Sequence, residues 1–178
     1  MKIAVLGLDK IGAPLAIELA KSYDTVGFDI RITRVNELKQ GKDRGGDIGQ
    51  MALLNSHIHF TWKAEHLADV DVFIVTTTAP PGSDKSPDLT GIKLISKILS
   101  GRLKQESIVL FEHGIYEEIA FTTCVPILEE GSGLKWKDDF WIAASPFRSI
   151  PNFVLDAENL EQIIQNYRPT KLIEELEA

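Results

Sequence analysis

The sequence predicts an α/β fold, a doubly wound parallel sheet of about six strands in a single domain. Three observations carry that expectation. Short apolar runs rich in β-branched residues alternate with segments of helical period along the chain. A turn with glycine at both ends, Gly7 and Gly12, joins the first apolar run to the first helical segment. An acid, Asp29, ends the second apolar run.

The elements follow in order. Residues 2–6 (KIAVL) read as a buried strand and 7–12 as the turn. Residues 13–22 place Leu15, Ile17, Leu19 and Ala20 at helical spacing, with Pro14 tolerable only in a first turn. Residues 25–29 (TVGFD) form a second strand, and 33–40 a helix with Val35 and Leu38 inward and Gly41 as its C-cap. Residues 42–50 are polar and glycine-rich, a loop. Residues 57–61 (HIHFT) make a short strand and 63–68 a short helix. The run 70–76 (VDVFIVT) is the strongest strand, apolar enough for both faces to be covered. A proline-containing loop, 77–87, leads to an amphipathic helix at 89–99. Strand 107–111 (SIVLF), helix 116–130 and strand 140–144 (FWIAA) complete the sheet. After a loop at 145–152 comes a helix at 157–167. Pro169 then interrupts the chain before a short amphipathic segment, 171–177.

Composition bounds the function. The 178 residues are 44% hydrophobic and 25% charged, which excludes a disordered, collagenous, coiled-coil or disulfide-scaffold chain. Lys plus Arg number 19 against 26 Asp plus Glu, a net charge of -7, so nucleic acid is not an expected partner. The single cysteine, Cys124, cannot form a disulfide within the chain, which fits a reducing compartment. The apolar run that starts at Ile3 is stopped by Asp9 and Lys10, and no stretch approaches the ~18 residues of a membrane span. A cytoplasmic protein without membrane contact is expected.

The turn Gly7-Leu8-Asp9-Lys10-Ile11-Gly12 follows the Rossmann dinucleotide fingerprint G-x-G-x-x-G, with one departure. Gly7 supplies the tight turn and Gly12 the close approach of helix to strand. The middle position, which lets backbone approach a pyrophosphate, is Asp9. Its carboxylate is a like charge beside a diphosphate, with Lys10 a partial offset and the helix N-terminus still favouring an anion. Binding is therefore expected to be weaker than with glycine by about 1 kcal/mol or more. Asp29 stands where an acid takes the adenosine ribose hydroxyls and repels a 2′-phosphate, which favours NAD over NADP. As a bland alternative, Asp29 caps the next helix.

Several linked segments resemble the NAD-binding N-terminal domain of the UDP-glucose/GDP-mannose dehydrogenase family, nearest to its UDP-N-acetylhexosamine 6-dehydrogenases of polysaccharide biosynthesis. The family opens KIAVIGLGYVGLPLA, and this chain reads KIAVLGLDKIGAPLA. The family continues TVGFDIN, then R-x-x-E-L-K-x-G. Here TVGFDI spans residues 25–30, with Arg34, Glu37, Leu38, Lys39 and Gly41 in step. The family's V-T-V-P-T-P and K-x-P-D-L appear as VTTTAP and KSPDL, its YESTVYPG as FEHGIYEE and its S-P-E-R-I as SPFRS. The resemblance covers about residues 1–150, an NAD-binding domain, followed by a helical tail at 151–178. It implies NAD as cofactor and a cofactor-binding set of Gly7, Asp9, Lys10, Ile11, Gly12, Asp29, Arg34, Thr76, Thr78, Glu112 and His113.

The departures fall on chemistry. Besides Asp9, the family's threonine in V-P-T-P is Ala79, its Ser-Thr pair is His113-Gly114, and the glutamate of S-P-E-R is Phe147. The framework positions Gly7, Gly12, Asp29, Asp88, Glu112, Tyr116, Pro146 and Arg148 are kept. The resemblance also implies that the family's catalytic Cys, Lys and Asn come from central and C-terminal domains expected to be absent here. Cys124 falls on a helix position and reads as a small buried apolar residue. No catalytic or metal residue is assigned. His57 and His59, on one face of a strand, lack a third ligand, and His113 at a strand end is a candidate acid or base.

Three functions stay open. One is a stand-alone, degenerate NAD-binding domain related to nucleotide-sugar dehydrogenases, inactive alone on UDP-sugars. Another is an interaction or scaffold protein that binds no nucleotide. The last is one chain of a split dehydrogenase, with a partner chain or a homodimer covering the surface that would face the missing domains.

Overall fold

Strand β1 (Lys2–Leu6) takes the middle of the sheet because Ile3, Ala4, Val5 and Leu6 are all apolar and fully buried, on both faces alike. The structure is a computed structural model and describes residues 1–80, 86–112, 117–144 and 157–167. Around β1 lie β2 (Asp24–Phe28), β3 (His59–Thr61), β4 (Val72–Val75), β5 (Ser107–Phe111) and β6 (Phe140–Ala144). They form one six-stranded sheet in the order β3-β2-β1-β4-β5-β6, every pair parallel. Val5 stands between Gly27 and Ile74 in register. The chain winds outward from β1 to β3, then returns to β4 on the other side of β1. The reversal opens a crevice beyond the carboxyl ends of β1 and β4.

Alternate residues of β1 feed two cores. Ile3 and Val5 pack with Ala13, Ala16 and Leu19 of α1 (Gly12–Leu19) and Val35 and Leu38 of α2 (Ile32–Lys39). Ala4 and Leu6 pack with Ile92, Ile95 and Leu99 of α4 (Thr90–Ser100) on the other face. The helix α7 (Ala157–Tyr167), within the segment read as a tail, buries Leu160, Ile163 and Ile164 in the first of these cores. The Tyr23 hydroxyl donates to Glu161 at 2.7 Å.

The limits of β2, β4 and α1 shift by one to three residues from the expected 25–29, 70–76 and 13–22, and three local readings change in kind. Within 42–56, a short helix α3 (Gln50–Leu54) forms where the sequence reading ran its loop to residue 50, because Leu53 reaches the core. The helix expected over 116–130 is described as α5 (Glu117–Ile119), a π-helical segment (Ala120–Cys124) and α6 (Val125–Ser132). Pro126 opens α6 and has no N–H to continue the ladder, and the Thr122 hydroxyl donates back to Glu118 O at 2.7 Å, so the helix loosens there. Strand β3 starts at His59, so His57 precedes it and the two histidines do not share a strand face. Among the described residues, no helix is long and apolar enough to cross a membrane.

Candidate functional site

The glycines of the first turn are demanded by backbone. Gly7 has φ +98°, and its N–H donates to Phe28 O at 2.9 Å. A Cβ at Gly12 would stand 1.8 Å from Gly7 O and 2.4 Å from Thr76 Oγ1. Thr76 bolts the turn to β4: its hydroxyl lies 2.6 Å from Gly7 O and 3.1 Å from Leu6 O. No side chain caps the first turn of α1; Ala13 N–H is given to Asp9 O at 3.1 Å and Pro14 has no N–H, so of its first three residues Gly12 keeps the amide that can serve an anion.

The Leu8 peptide is clamped from both sides. Its N–H donates to Asp29 Oδ2 at 2.8 Å, and its carbonyl accepts from Arg34 Nε at 2.7 Å. Arg34 Nη2 is also paired with Asp43 Oδ1 at 2.8 Å, with side-chain exposures of only 9% and 4%. Arg34, expected at the cofactor, braces the turn through Leu8 O and Asp43, and it lines a second groove together with Asp9, Lys10 and Arg31. Asp43 itself carried no sequence signal, because it sits in a loop without periodicity.

Asp29 is 3% exposed and heavily engaged. Besides Leu8 N–H, it accepts from Arg31 N at 2.9 Å, Arg31 Nε at 3.0 Å and Arg31 Nη2 at 2.8 Å. Burial alone would raise this carboxyl. The Arg31 guanidinium and the N–H groups of Arg31 and Leu8 outweigh it, so the pKa lies below the ordinary value. Arg31 Nη2 also pairs with Asp9 Oδ1 at 2.7 Å. The cation that meets Asp9 is therefore Arg31, not the sequence neighbour Lys10. With its charge paired, Asp9 is a smaller obstacle to a diphosphate than an isolated carboxylate would be.

Asp43 and Asp71 are also held below the ordinary carboxylate range. In each, burial is the largest influence and acts upward, but it is outweighed by a cation, Arg34 or Lys104, and by backbone N–H groups. A depressed folded pKa gives stability that is complete above the unfolded value of about 3.9 and is lost as pH falls through the folded value. Acid unfolding followed by circular dichroism should therefore set in below about pH 4, and Arg31→Ala should move its midpoint to higher pH.

Asp9, Asp29 and Arg31 border a groove of ≈ 380 Å³ at the carboxyl ends of β1, β2 and β4. Of the residues expected to bind cofactor, it brings together Gly7, Asp9, Lys10, Ile11, Gly12, Asp29, Thr76 and Thr78. Glu112 is buried at the end of β5, its N–H donating to Val75 O at 2.8 Å. His113 lies outside the described residues, as do Gly114, Tyr116, Pro146, Phe147 and Arg148. Sequence reasoning missed Arg31 and Thr77, which also line the groove. Arg31 carried a signal, since it follows TVGFDI where the family pattern has asparagine.

The remaining candidates do not converge on a site. His59 Nε2 lies 3.0 Å from His66 Nδ1, which also lies 2.7 Å from Thr61 Oγ1. Burial first, then the His66 charge, lower the His59 pKa. Among the described residues, no three His, Cys, Asp or Glu side chains gather as a metal site. Cys124 is fully buried, and burial pushes its thiol pKa up, the opposite of an activated nucleophile.

Residues 1–175 match the NAD binding domain of the UDP-glucose/GDP-mannose dehydrogenase family. The chain is 39% identical over 152 residues to a UDP-N-acetyl-D-glucosamine 6-dehydrogenase of Pseudomonas aeruginosa, covering 85% of this chain and 36% of that protein. It is 35% identical over 152 residues to a protein of the same name from Salmonella typhi, again 85% of this chain and 36% of the relative. Among solved structures, a UDP-D-ManNAc dehydrogenase from Pyrococcus horikoshii superposes with TM-score 0.75 at 27% identity, over 91% of this chain and 38% of that one. A ternary complex of GDP-mannose dehydrogenase from Pseudomonas aeruginosa shares the fold, with TM-score 0.76 at 21% identity over 94% and 45%. The chain thus spans about a third of the length of the curated relatives it matches.

Proposed function

The chain belongs to the UDP-glucose/GDP-mannose dehydrogenase family as an NAD-binding domain, and from that premise we propose that it holds NAD in the groove of β1, β2 and β4 for oxidation of a UDP-N-acetylhexosamine. The observation that carries this reading is the space at Gly12, where even a methyl group would strike Gly7 O at 1.8 Å. Helix α1 therefore starts against the end of β1, and Gly12 N–H at its first position can receive a diphosphate. Thr76 fixes Gly7 O, Arg34 fixes Leu8 O, and the turn is rigid before any ligand arrives. When bound, NAD supplies the hydride acceptor.

The chain's cysteine is not placed to serve as the thiol nucleophile for the later steps of sugar oxidation. This one cysteine is buried in the second core, packed with Ala120 and Leu128. The 178-residue chain, mixed with NAD and UDP-N-acetylglucosamine, should therefore form no uronic acid. Steady formation of the uronic acid would overturn the inactive reading. Failure to bind NAD would overturn the cofactor reading and favour a scaffold role.

A further inference from the structure

The buried acid at the adenosine end of the groove is already fully engaged. Asp29 accepts four hydrogen bonds, one from Leu8 N–H and three from Arg31. A carboxylate has about four acceptor positions. A ribose hydroxyl donating to Asp29 would have to displace one of these donors from a site 3% exposed. The groups presented to the groove are instead Arg31 and Asp9, with side chains 49% and 73% exposed and joined at 2.7 Å. Asp9 Oδ1 takes the Arg31 contact, and Asp9 Oδ2 accepts no protein hydrogen bond among the described residues.

We propose that recognition of the adenosine ribose has passed from Asp29 to Asp9, with Arg31 as the positioning residue that makes the exchange possible. Arg31 fills the acceptors of Asp29, cancels the charge of Asp9 and holds that carboxylate at the groove mouth, where its second oxygen accepts from the ribose hydroxyls. The two carboxylates and one guanidinium sum to a single negative charge. That is the same charge as the family pattern of glycine, asparagine and aspartate at these positions, so the diphosphate meets no added net repulsion. Asp9 then becomes a working part of the groove instead of a lesion in it. This inference rests on the dinucleotide reading above.

The test is a sign. Calorimetry would compare NAD and its 2′-deoxyadenosine analogue on the wild-type chain, Asp9→Gly, Arg31→Asn and the double variant, each checked for folding by circular dichroism. Asp9→Gly should weaken NAD by about tenfold, the loss of one charge-assisted hydrogen bond. It should also erase the preference of the wild type for NAD over the deoxy analogue. In the Arg31→Asn background Asp29 is released, so Asp9→Gly should there strengthen NAD binding. A merely structural role for Arg31 would leave the sign of the Asp9 effect unchanged. Tighter NAD binding by Asp9→Gly alone would overturn the proposal and leave Asp9 a like-charge obstacle. Binding by Arg31→Asn with none by wild type would overturn it while sustaining the dinucleotide reading. Binding by no variant would remove both.

Discussion

Gly12→Ala should lower stability by about 3 kcal/mol or more and abolish NAD binding. The added Cβ would overlap backbone, Gly7 O at 1.8 Å, and not the far end of a flexible side chain. Gly7 cannot yield easily, because its N–H is tied to Phe28 O and its carbonyl to Thr76 Oγ1. Relief requires α1 to move away from β1, which opens the core beneath Ala13 and Ala16. For a chain of this size the melting temperature should fall by about 6–12 °C. Gly101→Ala serves as the control. Gly101 has φ −76° and no atom within 4 Å of an added Cβ, so its replacement should change stability by less than about 0.5 kcal/mol. Equal effects at the two glycines would contradict the packing assigned to Gly12.

Arg34→Ala should cost about 2–4 kcal/mol, read as a lower urea midpoint with an unchanged slope. The substitution strips the charge partner from Asp43, whose side chain is 4% exposed, and the donor from Leu8 O. Arg34→Lys should fall between, because one ammonium cannot span Leu8 O and Asp43 as the guanidinium does through Nε and Nη2. NAD binding should weaken along with stability, since the Leu8 peptide is part of the turn. Lost NAD affinity at undiminished stability would return Arg34 to the cofactor contact expected from its motif.

The sheet was legible where apolar runs are continuous and polar residues bound them. Strands β1, β5 and β6 and helix α7 keep the limits read from the sequence, 2–6, 107–111, 140–144 and 157–167. Gly7 and Gly12 were legible because their requirement is local, a positive φ at one and a missing Cβ at the other. The charges around them were not. Asp9 has Lys10 beside it in sequence, yet its partner is Arg31, brought from the end of the next strand only by parallel pairing of β1 with β2. Arg34 reads as a ligand contact in its motif, but Asp43 closes on it from a loop whose position no periodicity encodes. The π-helical segment was hidden for a related reason, since the apolar spacing of 116–130 suits a plain helix and only Pro126 hints otherwise. Long side chains and irregular backbone respond to the whole fold, whereas strand burial and glycine geometry respond to neighbours.

The central claim is that a dinucleotide sits at the mouth of β1, β2 and β4, and amide chemical-shift mapping by heteronuclear NMR with added NAD tests it most directly. Saturable shifts should appear at Gly7, Leu8, Gly12, Arg31 and Thr77, with a dissociation constant below about 1 mM. The amides of His59 and His66, outside the groove, should stay in place. No shift at millimolar NAD, or shifts gathered around His59 and His66 instead of the turn, would contradict the account.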